Sequence, residues 1–467
     1  MLLLVVLTFL VKLSVYQENL HDIGQPAALD KVCQIIPTDD AEIASMTLRL
    51  IHNLSFNAAC RCALVSCGIL PKLVAYLGSV DKPSQQTQVL RILLLMANDS
   101  RFISHFAYTD AAHVVLGLIL EGDGSGGPCP IELASVAQAL ASSLACTQII
   151  CERNGLKFLV KRALRSNDAR LLKVVRNVSM HDGPSKQLFL EHVDKFAERL
   201  IMETDPLGSQ PSASEVAVEC ARILANLDQV EFLQVSNEVT RRGMLSWLSE
   251  QLRDAATRLA IESKLTADDD AALDLLILCA TYAENDPEFA LAFIDNQLTE
   301  PLVTILNACQ ENDTVVVHVL WVFYCLLRHS GSCEAALAKT PLAGYLLDLL
   351  NDANKAVQMV CDAALDLLSE TSPEWAARVR TAKFGHFNAQ WIDVVENALD
   401  HPQSIRTLAD ASSEGLDSDQ QHAPEDHRGD AQRQAYQPTF IDNGALDHIY
   451  DSMKLALDAD DGVNGDA

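Results

Sequence analysis

A helical phrase that recurs along the chain constrains its fold more than any other feature. The phrase is a long apolar helix that ends in a polar, an apolar and a small residue, as in residues 48–55, LRLIHNLS. Further copies occupy residues 90–97, 136–145, 172–179, 221–227, 273–283, 318–327 and 361–369. They lie roughly 34 to 55 residues apart, which brackets the length of armadillo and HEAT units. The sequence therefore predicts stacked helical repeats, in which each unit packs mainly against its neighbours.

A second phrase lies between the copies and marks a corner between two helices. It consists of a short helix, a glycine or asparagine, and then a strongly apolar helix. Examples occupy residues 67–77, 154–159 and 242–248. Gly68, Asn154 with Gly155, and Gly243 stand at these corners, because glycine lets the backbone leave a helix through positive φ. Each repeat is thus predicted to contain three helices.

The predicted fold class is all-α. We expect an armadillo/HEAT-like, right-handed superhelical solenoid of about nine repeats over residues 1–398. Composition agrees, since 49% of the 467 residues are hydrophobic but only 6% are aromatic, a bias that suits helices packed on helices. Residues 399–467 lose the apolar periodicity, which predicts an acidic, mostly disordered tail. Within it, residues 440–457 have the spacing of one amphipathic helix, which either docks on a partner or forms transiently.

The charge of the chain limits its partners. The formal net charge is −28, so the protein repels phosphate backbones and anionic lipid surfaces. We therefore expect no nucleic-acid partner and no membrane insertion, and basic protein segments are the more natural ligands. The 13 cysteines lie mostly in apolar helical runs without the spacing of a zinc site, so we expect core thiols in a reducing compartment and no metal. Residues 1–15 lack the basic start and the cleavage site of a signal peptide.

No constellation of residues indicates catalysis. The glycine-rich segment 122–127 lacks the Lys-Ser/Thr of a phosphate-binding loop and is interpreted as an exposed loop. The aspartates at 268–270 lack the other positions of a calcium loop and suit a helix N-terminus. His181 and Asp182 precede Gly-Pro where a repeat corner is due, so a turn explains them better than a catalytic pair. We expect a protein that is not an enzyme, with no catalytic residues and no cofactors.

The remaining candidate for function is the groove that stacked inner helices form, a surface on which solenoids bind extended or helical segments of partners. The residue before the last apolar-small step of an inner helix is predicted to face this groove. This rule selects Asn53, Ser143, Asn177 and Asn226. Asparagine can hydrogen-bond a partner's peptide group through both its carbonyl and its amide. The alternative is that each asparagine caps carbonyl groups of its own helix.

A series of shorter phrases runs in order over residues 1–397. It comprises LVVLTFLVKLS at 4–14, LRL at 48–50 with NLSF at 53–56, GILPKL at 68–73, FAYTD at 106–110, ICE at 150–152 with NGLK at 154–157, KRAL at 161–164, RNVS at 176–179 with HDGP at 181–184, WVFY at 321–324, and AQW at 389–391. In this succession the chain resembles the kinesin-associated protein family, the non-motor accessory subunits of heterotrimeric kinesin-II. The family-like positions within the phrases include Asn154, Gly155, Arg176, His181, Asp182 and Trp391.

The resemblance implies a non-catalytic adaptor that binds the tails of the kinesin-II motor heavy-chain heterodimer and links them to cargo adaptor proteins. It also implies intraflagellar transport, with a location in the cytoplasm, on the microtubule cytoskeleton and in the cilium or flagellum. Family members carry a segment before the point that corresponds to Met1, hence the expectation of a truncated first repeat.

The alternative function is an armadillo-type peptide receptor of the importin or catenin kind. Nuclear-signal receptors of that type usually pair tryptophan with asparagine on their inner helices, and the four tryptophans of this chain lack that spacing.

Overall fold

Helices are the regular secondary structure throughout the described part of the chain. The computed structural model describes residues 1–122, 127–202, 215–227, 238–262 and 270–400, and no strand occurs in these ranges. The chain forms two compact units, Met1–Gln251 and Leu252–Ala467. The α-helices that begin in the first unit are α1 (Leu2–Leu13), α2 (Gln17–Ile23), α3 (Pro26–Ile35), α4 (Ala41–Ser55), α5 (Ala58–Ser66), α6 (Ile69–Ser79), α7 (Pro83–Ala97), α8 (Ile103–Phe106), α9 (Ala111–Glu121), α10 (Ile131–Ala141), α11 (Leu144–Cys151), α12 (Gly155–Ser166), α13 (Ala169–Ser179), α14 (Pro184–Gln187), α15 (Val193–Met202), α16 (Glu215–Ala225) and α17 (Glu238–Glu262). The second unit continues with α18 (Asp270–Asn285), α19 (Pro287–Asp295), α20 (Thr299–Ala308), α21 (Asp313–Leu327), α22 (Ser330–Lys339), α23 (Leu342–Leu349), α24 (Lys355–Thr371) and α25 (Pro373–Asp400).

Every third helix packs on the one three helices before it, and we call these the stacking helices. In the first unit they are α1, α4, α7, α10, α13 and α16, and in the second unit they are α18, α21 and α24. Two further helices connect each stacking helix to the next within its unit. A copy of the recurring apolar phrase begins in every stacking helix except α1. That these helices face a groove stays a prediction.

Helix α4 illustrates why these segments fold and stack. The Asp40 carboxylate accepts hydrogen bonds from the backbone N–H groups of Glu42 and Ile43, which caps the helix at its start. Its buried positions recur every three or four residues, as an apolar stripe requires, and include Ala44, Thr47, Leu48, Ile51 and Leu54. In α21 of the second unit the stripe widens to all sides of the helix, since every residue from Val315 to Leu327 is buried. Burial between neighbouring stacking helices therefore forms the core.

Two of the three predicted corners lie between helices. Gly68 has a φ of +73° and directly precedes α6, and Asn154 has a φ of 65° and directly precedes α12. The predicted corner at Gly243 is wrong, because α17 runs through this residue. A Cβ atom added to Gly243 would lie 2.7 Å from the Cδ1 atom of Ile201. Close packing against Ile201, rather than a positive φ, explains this glycine.

Several predictions fall on residues that lie outside the described ranges. They concern residues 123–126 of the glycine-rich segment, the aspartates at 268 and 269, and the tail from residue 401 onward with its helix at 440–457. Residues 399 and 400, the first two of the predicted tail, still belong to α25. The division into about nine repeats over residues 1–398 also stays a prediction.

Membrane spans were sought among the described helices. None of them is by itself long and apolar enough to cross a bilayer, and three bent helix pairs pass on length and composition only when both members are counted together.

Candidate partner-binding surface

Three of the four predicted groove residues are asparagines at the C-terminal ends of stacking helices. Each donates a hydrogen bond from Nδ2 to the preceding stacking helix or to the residue that ends it. The acceptors are Ser14 Oγ at 2.9 Å for Asn53, the Gln138 carbonyl oxygen at 3.0 Å for Asn177, and Ser179 Oγ at 3.1 Å for Asn226. Each asparagine therefore joins its own stacking helix to the preceding one. The sequence by itself indicates only two other roles, binding a partner's peptide group and capping the asparagine's own helix.

This hydrogen bond restricts what the asparagines can offer a partner. An asparagine that binds a peptide group through both its carbonyl and its amide would first have to break the bond to its neighbouring helix. Asn177 is only 9% exposed, whereas Asn53 and Asn226 are half-buried. Asn53 and Asn226 are therefore the more exposed members of this row.

Ser143 lies apart from this row. Helix α10 ends at Ala141, and Ser143 is the N-cap residue of α11, where the chain has already left the stacking helix. The apolar-small step that ends α10 is Leu140-Ala141, and the similar pair Leu144-Ala145 belongs to the next helix.

An open cleft of about 390 Å³ lies beside the first three stacking helices. Its lining comes from α1, α4, α7 and the residues next to them, and includes Thr8, Ser45, Arg49 and Gln85. Arg49 precedes Asn53 by four residues, so both lie on the same face of α4. The sequence patterns did not select these cleft residues, although this four-residue spacing was a usable signal for Arg49.

The family-like pair Asn154 and Gly155 builds the corner before α12. Asn154 adopts the left-handed conformation that asparagine tolerates better than most residues. Gly155 has ordinary helical φ and ψ values, but an added Cβ would lie 2.1 Å from the carbonyl oxygen of Ile150 and 2.8 Å from Cδ2 of Leu116. Asn154 thus adopts the left-handed conformation at this corner. Gly155, which has no Cβ, leaves room for the carbonyl oxygen of Ile150 and the side chain of Leu116.

Arg176 belongs to a buried cluster of charges between α13 and α16. Its Nε atom lies 3.8 Å from Oε2 of Glu219, and Nη1 of Arg222 donates to Oε1 of Glu219 at 3.1 Å. The three side chains are 9%, 3% and 15% exposed in the order Arg176, Glu219, Arg222. A buried carboxylate between two guanidinium groups fixes the position of both helices beside Asn177.

His181 and Asp182 lie in the turn between α13 and α14. His181 Nε2 lies 2.8 Å from the carbonyl oxygen of Ala141, and Asp182 accepts a hydrogen bond from Lys186 Nζ at 2.8 Å. Gly183 follows with a φ of +121°. The second unit repeats the histidine contact, where His329 Nε2 lies 2.9 Å from the carbonyl oxygen of Ala283. This geometry gives the histidine a role in joining repeats through the backbone.

Trp391, the last family-like position, lies on α25, and its side chain is outside the described set. Earlier on the same helix, Phe384 and Phe387 are 74% and 52% exposed. Lys383 anchors this helix to α24, since its Nζ lies 2.7 Å from carboxylate oxygens of both Asp362 and Asp366.

The chemistry of the described residues offers little to a substrate. They contain no group of three or more His, Cys, Asp or Glu side chains arranged to hold a metal ion. All cysteines are free, and burial raises the pKa of the Cys33 thiol to about 12 and that of Cys361 to about 12. A nucleophilic cysteine requires a lowered pKa instead. These thiols therefore act as small apolar residues of the core.

The fold, in which every third helix stacks on the one three helices before it, is that of the armadillo-type helical repeat proteins. A crystal structure of an engineered protein from a structural genomics consortium matches with a TM-score of 0.61 and 16% identity, over 85% of this chain and 90% of that one. A structure from a study of a phosphorylation switch in the interaction between cadherin and β-catenin matches with a TM-score of 0.58 and 17% identity, over 73% of this chain and 69% of that one. Identities this low show the fold alone, and they confirm the predicted all-α, armadillo-type architecture.

A more specific match comes from the sequence. The profile described as kinesin-associated protein (KAP) matches residues 1–430. The chain therefore belongs to the kinesin-associated protein family, as the ordered phrases predict. Membership indicates a kinesin-associated adaptor.

Proposed function

We propose that this protein is a non-catalytic adaptor subunit that binds the tails of the two motor heavy chains of a kinesin-II heterodimer and links them to cargo adaptor proteins. The observation that carries the proposal is the family match over residues 1–430, which includes every described residue. Its process is intraflagellar transport along microtubules, and its location is the cytoplasm, the microtubule cytoskeleton and the cilium or flagellum.

The stacking helices are the proposed site for the motor tails. In the first unit they present the cleft between α1, α4 and α7, with Arg49 exposed at its edge. Asn53 lies one helical turn further along α4 with its side chain half-buried. The guanidinium group of Arg49 can donate hydrogen bonds to carboxylates or peptide carbonyls of a bound segment, and the side-chain carbonyl of Asn53 can accept one from a peptide N–H.

Affinity purification from flagellated cells tests the proposal. The tagged chain should retain two distinct kinesin heavy chains at near-equal stoichiometry at moderate salt. Arg49→Glu should weaken this retention, whereas Lys31→Glu, which makes the same charge change at an exposed residue of α3, should leave it unchanged. Loss of retention in both variants would contradict the cleft as the site, and retention of no kinesin by the unaltered chain would contradict the function.

The same purification separates the alternative, a peptide receptor of the importin or catenin kind. Trp321, the one tryptophan on a described stacking helix, is 4% exposed, which does not favour a tryptophan-lined groove there. Saturable, micromolar binding of a labelled basic peptide, measured by fluorescence polarisation, together with recovery of importins or cadherin-type tails and no motor, would favour the receptor.

A further inference from the structure

A basic island interrupts this acidic protein in its first unit. Residues 153–176 contain one acidic residue, Asp168, and eight of the 35 lysines and arginines of the chain. The eight are Arg153, Lys157, Lys161, Arg162, Arg165, Arg170, Lys173 and Arg176. This stretch therefore carries a net charge of +7 within a chain of net charge −28. A local reversal of sign this strong calls for a physical explanation.

Helix α12 concentrates the exposed part of the island on one face. Its opposite face is buried and includes Leu156, Leu159, Val160 and Ala163. Lys157, Lys161 and Arg165 are exposed and lie four residues apart, so they line up along the helix. Phe158 lies beside them and is 50% exposed. We call Lys157, Phe158, Lys161 and Arg165 the α12 basic face.

Lys157, the first cation of this face, already contacts a carboxylate of its own chain. Lys157 Nζ lies 2.9 Å from Oε2 of Glu191, and this contact holds the pKa of the Glu191 carboxyl below its usual value. Both side chains remain more than half exposed, at 55% and 68%. Lys161 has no ion pair among the described residues. Lys157 thus shows that a cation of the α12 basic face can bind an exposed carboxylate, and Lys161 and Arg165 are exposed along the same face.

The spacing of the cations fits a particular shape of ligand. Residues four apart on an α-helix are separated by about 6 Å along the axis. Carboxylates on alternate residues of an extended peptide are separated by about 6.6 Å, since each residue extends the chain by about 3.3 Å. Three acidic residues at alternate positions of an extended segment therefore match Lys157, Lys161 and Arg165 in register. Phe158 gives an apolar neighbour to the side chains between them.

Long polyanions fit this face less well than a short peptide does. Unpaired charges interact over a screening length of about 8 Å at physiological salt, so a ligand that covers only α12 experiences mainly the local positive charge. A nucleic acid or an anionic membrane would extend over many times this distance and meet the surrounding acidic surface. The negative net charge of the whole chain therefore disfavours the binding of large anions, whereas the local positive charge of the basic island favours the binding of small ones.

We propose that the α12 basic face is a docking site for an extended acidic segment of a partner protein, with carboxylates on alternate residues. The site lies on a connecting helix rather than on the stacking helices. It does not depend on the motor-tail site proposed above.

Fluorescence anisotropy with two labelled peptides tests the proposal on the full chain. One peptide has three glutamates separated by single serines, and the other has the same residues with the three glutamates adjacent. We expect saturable binding of the alternating peptide, at least about threefold tighter than the adjacent one, and weaker at about 0.15 M than at about 0.05 M salt. Equal affinity for the two peptides, or no saturable binding, would overturn the proposed register.

Charge-reversal variants locate the site. Lys157→Glu/Lys161→Glu/Arg165→Glu should lower the affinity for the alternating peptide at least about tenfold. Lys12→Glu/Lys31→Glu/Lys355→Glu makes the same change in net charge at three exposed lysines on other helices, and should change the affinity less than about twofold. An equal loss in both triple variants would show that net charge, not this face, binds the peptide.

Two further measurements complete the test. If the triple variant on α12 fails to fold, as judged by circular dichroism, Lys161→Glu alone replaces it, because this exposed side chain has no ion pair to break among the described residues. A smaller but measurable loss of affinity is then expected, and unchanged affinity would overturn the proposal. Binding of phosphatidylserine vesicles or of a DNA oligonucleotide that Lys161→Glu weakens as much as peptide binding would also overturn it, since the face would then be a general anion site.

Discussion

Gly68 directly precedes α6 and Gly155 is the first residue of α12, and the structure gives these two corner residues different reasons to be glycine. Gly68 has a φ of +73°, and an added Cβ would meet no atom within 4 Å. Gly155 has a φ of −58°, which any residue adopts, but its added Cβ would lie 2.1 Å from the carbonyl oxygen of Ile150. Substitution therefore costs conformational energy at Gly68 and steric energy at Gly155.

The two causes predict opposite rankings of alanine and asparagine. At Gly68 alanine should cost about 1–2 kcal/mol, the cost of the left-handed conformation, and asparagine should cost less because it enters that conformation more readily. At Gly155 overpacking costs about 1–3 kcal/mol, and the lower entropy of the unfolded chain offsets about 0.4–1 kcal/mol of it for alanine. The larger asparagine should cost more than alanine at Gly155.

Thermal unfolding of the four variants, followed by circular dichroism, measures this ranking. For a unit of about 250 residues, each kcal/mol corresponds to a change in Tm of about 2–4 °C. We expect the Tm of Gly68→Asn to exceed that of Gly68→Ala, and the Tm of Gly155→Asn to fall below that of Gly155→Ala. The same order of alanine and asparagine at both positions would refute the conclusion that backbone conformation requires glycine at 68 and that space requires it at 155.

Two further predictions concern buried charged or titratable groups. Glu219→Gln removes the carboxylate that lies between Arg176 and Arg222. It should lower the free energy of unfolding by about 3 kcal/mol or more, which calorimetry would detect as a lower Tm. A loss below about 1 kcal/mol would show that the guanidinium groups find other partners. Burial lowers the pKa of both His192 and His318 below the ordinary 6.5, and the charge of Lys195 is a second cause for His192. Around and below about pH 6.5, the unfolded chain therefore binds more protons than the folded chain does. Stability should therefore be fully present above this pH and decrease on acidification toward the lowered pKa values, and the Tm of His318→Gln should decrease less over the same pH range.

The recurring phrase carried most of the information about the fold. It identified the stacking helices because burial on a helix requires apolar residues at three- and four-residue steps, a local property of the sequence. Gly243 shows the limit of such local reasoning. Its neighbour Ile201 lies 42 residues earlier in the chain, and only the packed structure shows that a Cβ would collide with it. Ser143 lies outside α10 for a related reason, since two similar apolar-small steps occur close together and the chain leaves α10 after the first.

The sequence pattern selects Asn53, Asn177 and Asn226, but it does not identify the groups to which they donate hydrogen bonds. Their hydrogen bonds reach back 39 residues from Asn53, 39 from Asn177 and 47 from Asn226. These separations equal about one repeat, so the spacing of the phrase already indicated that a side chain on one stacking helix can reach the one before it. The identity of each acceptor depends on the rotation of the two helices about their axes, which the spacing does not determine. The cleft beside Arg49 depends on the same rotation.

An adaptor that carries cargo must hold its motor and its cargo at the same time, which requires surfaces that do not compete. In this chain the stacking helices of the first unit use polar side chains such as Asn177 and Arg176 within the fold, in contacts that join one helix to the next. The α12 basic face points its cations away from that core and keeps them exposed. If the motor tails bind along the stacking helices and an acidic segment binds α12, the two ligands occupy different helices of the unit. The alternating peptide should then bind the chain with the same affinity whether or not the motor tails are present, and competition between them would place both on one surface.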